Sequence, residues 1–229
     1  MSLAVVCLSG GLDSCVSLAT AMKEHDEIAA LHFSYGQRTQ EREHRAFEEI
    51  CQHYGIDRRL HAKQPALAKM GGSALTDRTL EIPRSLPGEE LTPNEGEVPI
   101  TYVPFRNGQI LALACAWAET LRARAVYLGA VEEDSSGYPD CREEFFSAFA
   151  TAVEAGTRPG THIQIVTPLL HLRKGEIVKR GLELAAPLHL SWSCYSDSRK
   201  ACGRCESCLL RLKGFAEAGA VDPIAYEKH

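Results

Sequence analysis

Two adjacent glycines, set between an apolar run and a helical pattern, restrict this chain more than any other feature. The stretch reads Ala4-Val5-Val6-Cys7-Leu8-Ser9-Gly10-Gly11-Leu12-Asp13-Ser14. Residues 4–8 are expected to form a buried parallel strand, the glycines a tight turn, and residues 14–23 a helix. Glycine carries no Cβ, so the backbone there can bend sharply and approach a ligand closely. The first N–H groups of the helix have no internal partner, and the helix dipole adds partial positive charge. The turn is therefore a cradle for an anion, with phosphate the usual occupant. The hydroxyls of Ser9 and Ser14 offer further donors.

Strand and helix patterns then alternate. Strands are expected over 28–33, weakly over 59–62, and over 125–129 and 163–167. Helices are expected over 37–54, 108–120, 143–154 and 174–184. This order predicts an α/β fold with a doubly wound parallel sheet over residues 1–190, and a small C-terminal appendage over 191–229. Ligands of such sheets sit beyond the carboxyl ends of the strands. Residues 9–14 fall there, and so does Ser34-Tyr35-Gly36-Gln37. Tyr35 and Gln37 are thus candidates for adenine or ribose contact, although Gln37 equally reads as the start of a helix. Residues 64–99 are rich in Pro, Gly, Ser, Thr and Glu, and read either as an active-site cover or as a passive surface insertion.

Further polar residues fall on the same edge. Arg106 precedes a helix, where its guanidinium can face a phosphate or carboxylate, and Asn107 is placed to cap that helix. Glu132, Glu133, Asp134 and Asp140 follow the fourth strand. They suit Mg²⁺ or the N–H donors of a guanine-like edge, though acidic loops are commonly just solvated. Lys174 opens a helix, where the dipole disfavours a cation. That conflict hints at an anionic partner, while a lone lysine is ordinarily exposed.

The glycine loop is neither the mononucleotide P-loop nor the dinucleotide fingerprint, whose spacings differ. Its order, Ser-Gly-Gly-x-Asp-Ser, resembles the pyrophosphate loop of ATP pyrophosphatases, which adenylate a substrate oxygen. The plainer alternative is a β–α turn in which Asp13 or Ser14 merely caps the helix.

Nine cysteines are present, an odd number, and four of them crowd between 194 and 208. This argues for a reducing compartment, the cytoplasm, with a metal site rather than a disulfide framework. Cys194, Cys202, Cys205 and Cys208 suit a closed, structural, tetrahedral Zn²⁺ that staples the chain end. An iron–sulfur cluster is the rival at these spacings. Arg199, Lys200, Arg204, Arg211 and Lys213 are near enough in sequence to offset four thiolates. A net charge of −5 argues against direct nucleic-acid binding. No apolar run reaches membrane-spanning length, and the opening apolar run, with no basic segment before it, reads as a strand rather than a signal peptide.

Seven stretches together resemble one family. They are 8–14, 34–37, Val103-Pro104-Phe105-Arg106-Asn107, Ser136-Gly137-Tyr138-Pro139-Asp140-Cys141-Arg142, 167–170, 174–177, and Trp192-Ser193-Cys194 through Cys208. The sequence is similar to the 7-cyano-7-deazaguanine synthases of the queuosine pathway, departing at Phe105, where members often carry glycine. The resemblance implies an adenine nucleotide alpha hydrolase-like fold of the Rossmann type. It implies a ligase that converts 7-carboxy-7-deazaguanine, ammonia and ATP to the 7-cyano compound through an adenylated acid and an adenylated amide. It further implies one structural zinc on the four cysteines, Mg²⁺ with the ATP, and a homodimer. ATP contacts are implied at Leu8, Ser9, Gly10, Gly11, Leu12, Asp13, Ser14, Cys15, Val16, Ser17 and Leu18, with Tyr35 and Gln37. Ser9, Asp13, Ser14, Arg106 and Lys174 are the expected catalytic residues, and Tyr138, Asp140 and Arg142 the expected substrate contacts. Cys141 reads as a buried structural cysteine rather than a nucleophile.

Overall fold

Five strands form one wholly parallel sheet in the order β3–β2–β1–β4–β5: β1 Leu3–Cys7, β2 Glu27–Ser34, β3 Arg59–Lys63, β4 Ala125–Leu128 and β5 Gln164–Val166. The computed structural model describes residues 2–85, 98–132, 137–196 and 198–228. Its helices are α1 Leu12–Glu24, α2 Gln40–His53, the short α3 Ala66–Met70, α4 Arg106–Leu121, α5 Glu143–Gly156, α6 Lys174–Glu183 and α7 Glu206–Glu217. Each strand stands within one residue of its expected bounds.

The central strands β1, β2 and β4 are mostly apolar rather than alternating, because the sheet is buried on both faces there, while the edge strand β3, Arg-Leu-His-Ala-Lys, is only half-buried. Ala4 and Val6 of β1 pack with α1, with Phe47 and Ile50 of α2, Ile177 of α6 and Phe215 of α7. Val5 and Cys7 turn the other way, toward Leu111, Ala114 and Ala118 of α4 and Phe146 of α5. Each fully buried Val, Leu, Ile or Phe side chain here contributes about 1.5–3 kcal/mol relative to an exposed one.

The strand order reverses at β1, with β2 and β3 on one side and β4 and β5 on the other. A crevice therefore opens beyond the carboxyl ends of β1 and β4. Two glycines close the backbone around it. Gly10 has φ +90, and a Cβ there would lie 2.5 Å from the Glu43 carbonyl oxygen. Gly129, just past β4, faces the turn into α1, where a Cβ would lie 2.8 Å from Asp13 and Ser14 backbone atoms.

Three local expectations change. The irregular stretch from 64 contains α3, and its apolar residues are buried: Leu67 and Leu75 pack with Phe33, Tyr35 and Val103, while Ala74 and Ile82 pack with Trp192 and the cysteine cluster. The remainder of the expected cover, 86–97, lies outside the described residues. Asn107 does not cap α4. It sits within the helix, whose N-cap is Phe105 at φ +54, and its amide donates to the Asp140 carbonyl (2.9 Å) and the Cys141 sulfur (3.2 Å). Arg211 does not serve the thiolates. Its guanidinium, fully buried, pairs with both oxygens of Asp222 at 2.7 and 3.0 Å and also donates to the Leu188 carbonyl.

The C-terminal segment is pinned to the glycine turn. The Trp192 N–H donates to the Gly10 carbonyl at 2.7 Å, and Arg42 of α2 lies over the Trp192 ring, 4.6 Å from its centroid. Among the described residues no helix is long and apolar enough to cross a membrane.

Candidate active site

The turn after β1 is preset by its own hydroxyls. The Gly11 N–H donates to Ser9 Oγ (3.2 Å), Ser9 Oγ to Ser14 Oγ (3.0 Å), and Ser14 Oγ to the Gly11 carbonyl (3.0 Å). Asp13 falls in the first turn of α1, where the dipole favours a carboxylate. Lys174 opens α6 and points at it, with Nζ 2.9 Å from each Asp13 oxygen. This resolves the dipole conflict read in the sequence. The lysine is not an exposed one; its side chain is 12% exposed and its partner is a carboxylate on the glycine turn.

The crevice beyond the turn encloses roughly 260 Å³. Ser9, Gly11, Leu12, Asp13, Ser14 and Lys174 line it, as do Tyr35, Gln37, Arg106 and Tyr138. Arg106 is the first residue of α4, and its Nη1 donates to the Tyr35 hydroxyl at 3.1 Å. Burial pushes the Tyr35 phenol up, the nearby Arg106 charge opposing. Gln37 is not the start of α2 but a brace before it. Its Oε1 accepts from the Tyr35 N–H, and its Nε2 donates to Glu43.

Other expected site residues stand apart. Leu8, Gly10, Cys15, Val16, Ser17 and Leu18 do not line the crevice, and the side chains of Cys15, Val16, Ser17 and Leu18 are fully buried inside α1's packing. Asp140 is buried behind the wall, raised by that burial, and accepts from the Asn107 N–H at 2.8 Å. Arg142 is exposed and does not line the crevice. Glu132 accepts from the Glu143 N–H, so it caps α5; Glu133 and Asp134 lie outside the described residues. Cys141 lines the wall, but burial pushes its thiol up to about 11, which leaves little thiolate to act as a nucleophile.

Several lining residues were given no role in the sequence reading. Glu43 arrives from α2, while Trp192, Tyr195 and Glu206 arrive from the cysteine-rich segment. Burial raises the Glu43 carboxyl against hydrogen bonds from Gln37 and Thr39. Burial likewise pushes Glu206 up to about 7, opposed by a hydrogen bond from the Thr101 side chain. Thr101 Oγ1 in turn accepts from the Tyr138 hydroxyl at 2.8 Å. The one signal for Glu206 was its place between two metal-type cysteines.

The four thiols of Cys194, Cys202, Cys205 and Cys208 are buried, with ligand atoms within 4.8 Å of one another. Sulfurs bound tetrahedrally at about 2.3 Å sit roughly 3.8 Å apart, and Cys202 and Cys208 are already at 3.9 Å. Backbone N–H groups of Ser196, Cys202 and Cys205 point at the sulfurs of Cys194 and Cys202 at 3.3–3.4 Å. Such donors suit thiolate charge. The donor set fits a closed structural zinc with no open position.

Residues 3–219 match the family described as "Queuosine biosynthesis protein QueC". The chain is 51% identical over 225 residues to the "7-cyano-7-deazaguanine synthase" of Chlorobaculum parvum, covering 98% of this chain and 96% of that protein. It is 53% identical over 223 residues to the protein of the same description from Acidobacterium capsulatum, covering 97% and 96%. Among solved structures it resembles a 4-thiouridine synthetase–RNA complex with bound ATP, at TM-score 0.47 and 21% identity over 81% of this chain and 41% of that one. It also resembles NMN synthetase from Francisella tularensis, at TM-score 0.46 and 16% identity over 82% and 63%.

Proposed function

The chain belongs to the family of the queuosine biosynthesis protein QueC, the 7-cyano-7-deazaguanine synthases, ATP-dependent enzymes, and on that premise we propose that its crevice converts 7-carboxy-7-deazaguanine, ammonia and ATP to the nitrile by adenylating first the acid and then the amide. A carboxylate is a poor electrophile for ammonia, and AMP makes its oxygen a good leaving group. The acid oxygen attacks the α-phosphorus of ATP and pyrophosphate leaves. Ammonia attacks the acyl carbon, and AMP departs with one proton released, giving the amide. The amide oxygen attacks a second ATP, pyrophosphate leaves, and loss of AMP with two protons gives the nitrile.

The observation that carries this reading is the Asp13–Lys174 pair on the glycine turn at the sheet's switch point, with Arg106 in the same crevice. The N–H groups opening α1, with Ser9 and Ser14, would hold the departing pyrophosphate. Lys174 and Arg106 would steady charge on the transferring phosphoryl group. Magnesium arriving with the nucleotide takes oxygen ligands, Asp13 is the carboxylate of the turn, and the ion's chemistry there would be to spread phosphate charge. Tyr35 and Gln37 are assigned to the nucleoside and Tyr138 to the deazaguanine. One structural zinc belongs on the four cysteines. The family resemblance alone supports a cytoplasmic homodimer. The net charge of −5 supports small-molecule substrates over tRNA.

Mass spectrometry of a mixture of protein, Mg-ATP, ammonium and 7-carboxy-7-deazaguanine tests the reading. The cyano compound with AMP is expected. A product that forms without ATP, or with ADP as the nucleotide released, would overturn it.

A further inference from the structure

The expected substrate carboxylate, Asp140, is buried away from the crevice, so the donor edge of a guanine-like base needs another partner. Among the described residues three carboxylates line the crevice: Asp13, Glu43 and Glu206. Both oxygens of Asp13 are held by Lys174. Both oxygens of Glu43 are held by the segment that leads into α2, one by Gln37 Nε2 at 2.9 Å and the other by Thr39 Oγ1 at 2.7 Å. Glu206 accepts one hydrogen bond, from the Thr101 hydroxyl, against two each on Asp13 and Glu43, so of the three it is the least committed of carboxylates that each have about four lone-pair sites.

We infer that Glu206 is the specificity residue for the deazaguanine, accepting hydrogen bonds from the ring N1–H and the 2-amino group; the inference rests on the proposed function and names the contact that selects its substrate. Two ligand donors on Glu206 favour the ionised form that burial alone disfavours, and an ionised carboxylate only accepts. The deazaguanine edge presents two donors side by side, so it pairs with both oxygens. Adenine presents one donor beside a ring nitrogen lone pair, which a carboxylate repels. Glu206 therefore reads the substrate base and rejects the adenine of ATP. The relay from the Tyr138 hydroxyl through Thr101 fixes the carboxylate's aim. Tyr138 and Tyr195 supply flat aromatic walls beside it. Glu206 opens α7 directly after Cys205 and two residues before Cys208. The metal staple thereby sets the start of the helix that carries the reading group, and the C-terminal segment becomes part of substrate selection.

Steady-state kinetics on the zinc-loaded enzyme, with 7-carboxy-7-deazaguanine and its analogue lacking the 2-amino group, tests this. Wild type should lose at least about 10-fold in kcat/KM on the analogue, the scale of one hydrogen bond to a charged group. E206Q should raise KM for the natural substrate by about 10-fold or more, leave KM for ATP unchanged, and discriminate between the two substrates by no more than about 3-fold. An E206Q enzyme whose ATP KM alone moves, or a wild type that uses both substrates equally, would overturn the assignment. The wild-type comparison stands even if E206Q loses zinc, and T101V, which keeps the carboxylate but frees its aim, should also weaken substrate binding at full zinc content. Wild type inert toward the natural substrate would defeat the parent function instead.

Discussion

Lys174 Nζ lies 2.9 Å from both carboxylate oxygens of Asp13, a contact that spans 161 residues of sequence. It joins the first turn of α1 to the first turn of α6, and so places a cation and an anion together at the mouth of the proposed phosphate cradle. If the pair acts as one unit in stabilising charge on the phosphoryl group, its two members should not contribute independently. Asp13→Ala and Lys174→Met are each expected to lower kcat by about 100-fold or more, and the double variant to fall little further. Zinc content should stay at the wild-type level in all three. Full activity in Asp13→Ala would remove the cradle from the mechanism.

The cysteine cluster makes a separate prediction. Purified protein should be colourless and hold about one zinc per chain; a brown preparation with visible charge-transfer bands would point to iron–sulfur instead. Cys205→Ser should lose the metal. Because the Trp192 N–H is bonded to the Gly10 carbonyl and Arg84 bridges to Cys205, metal loss should be felt at the cradle. Nucleotide affinity is expected to fall along with thermal stability, which calorimetry with and without Mg-ATP would read.

Much of this molecule was legible in its sequence, for a definite physical reason. A parallel sheet buried on both faces writes its central strands as apolar runs, which placed β1, β2 and β4 within a residue, while the half-buried edge strand β3 left only a weak signal. The glycine turn and the four-cysteine cluster were legible because each is a contiguous pattern of special residues. What could not be read was pairing at a distance. Nothing in Lys174's surroundings in sequence names Asp13, nor does anything near Arg211 name Asp222. Asn107 has the residue type of a cap, yet Asp140 and Cys141 claim its amide. Asp140 and Glu206 show the same limit from opposite sides. Both are acidic residues close to motif residues, and only the packing decides that one turns into the core while the other lines the crevice.

Acid should weaken the fold through His32. The ring is fully buried at β2, with Nδ1 donating to the Leu8 carbonyl at 3.1 Å, and His44 of α2 and His61 of β3 stand against it. Burial first, and the two neighbouring imidazoles after it, hold its pKa down at about 3, from an ordinary value of 6.5. Between those values the unfolded chain binds a proton that the folded chain refuses. His32 therefore costs no stability above pH 6.5, and stability falls as pH drops from there toward 3, with a slope of up to about 1.4 kcal/mol per pH unit. Urea midpoints measured from pH 7 to pH 4 should show this decline, and His32→Asn, which keeps a donor for Leu8 but does not titrate, should flatten it. An unchanged slope in that variant would assign the acid sensitivity elsewhere.

Phe105 holds the left-handed conformation, φ +54 and ψ +30, at the N-cap of α4. For a residue with a Cβ that conformation costs roughly 1–2 kcal/mol, and glycine escapes the cost. Phe105 is 54% exposed, with its ring edge-on to Phe145 at 5.7 Å, so little burial is lost on removal of the ring. Comparing Phe105→Gly with Phe105→Ala isolates the backbone, since both remove the ring. In most positions alanine is the more stable of the two; here Phe105→Gly should exceed Phe105→Ala by about 1 kcal/mol or more in urea unfolding. The backbone before Arg106 should also keep its shape in the glycine variant, so kcat should stay near the wild-type value. If alanine proved the more stable, the turn that aims Arg106 into the crevice would have to be built from some other conformation.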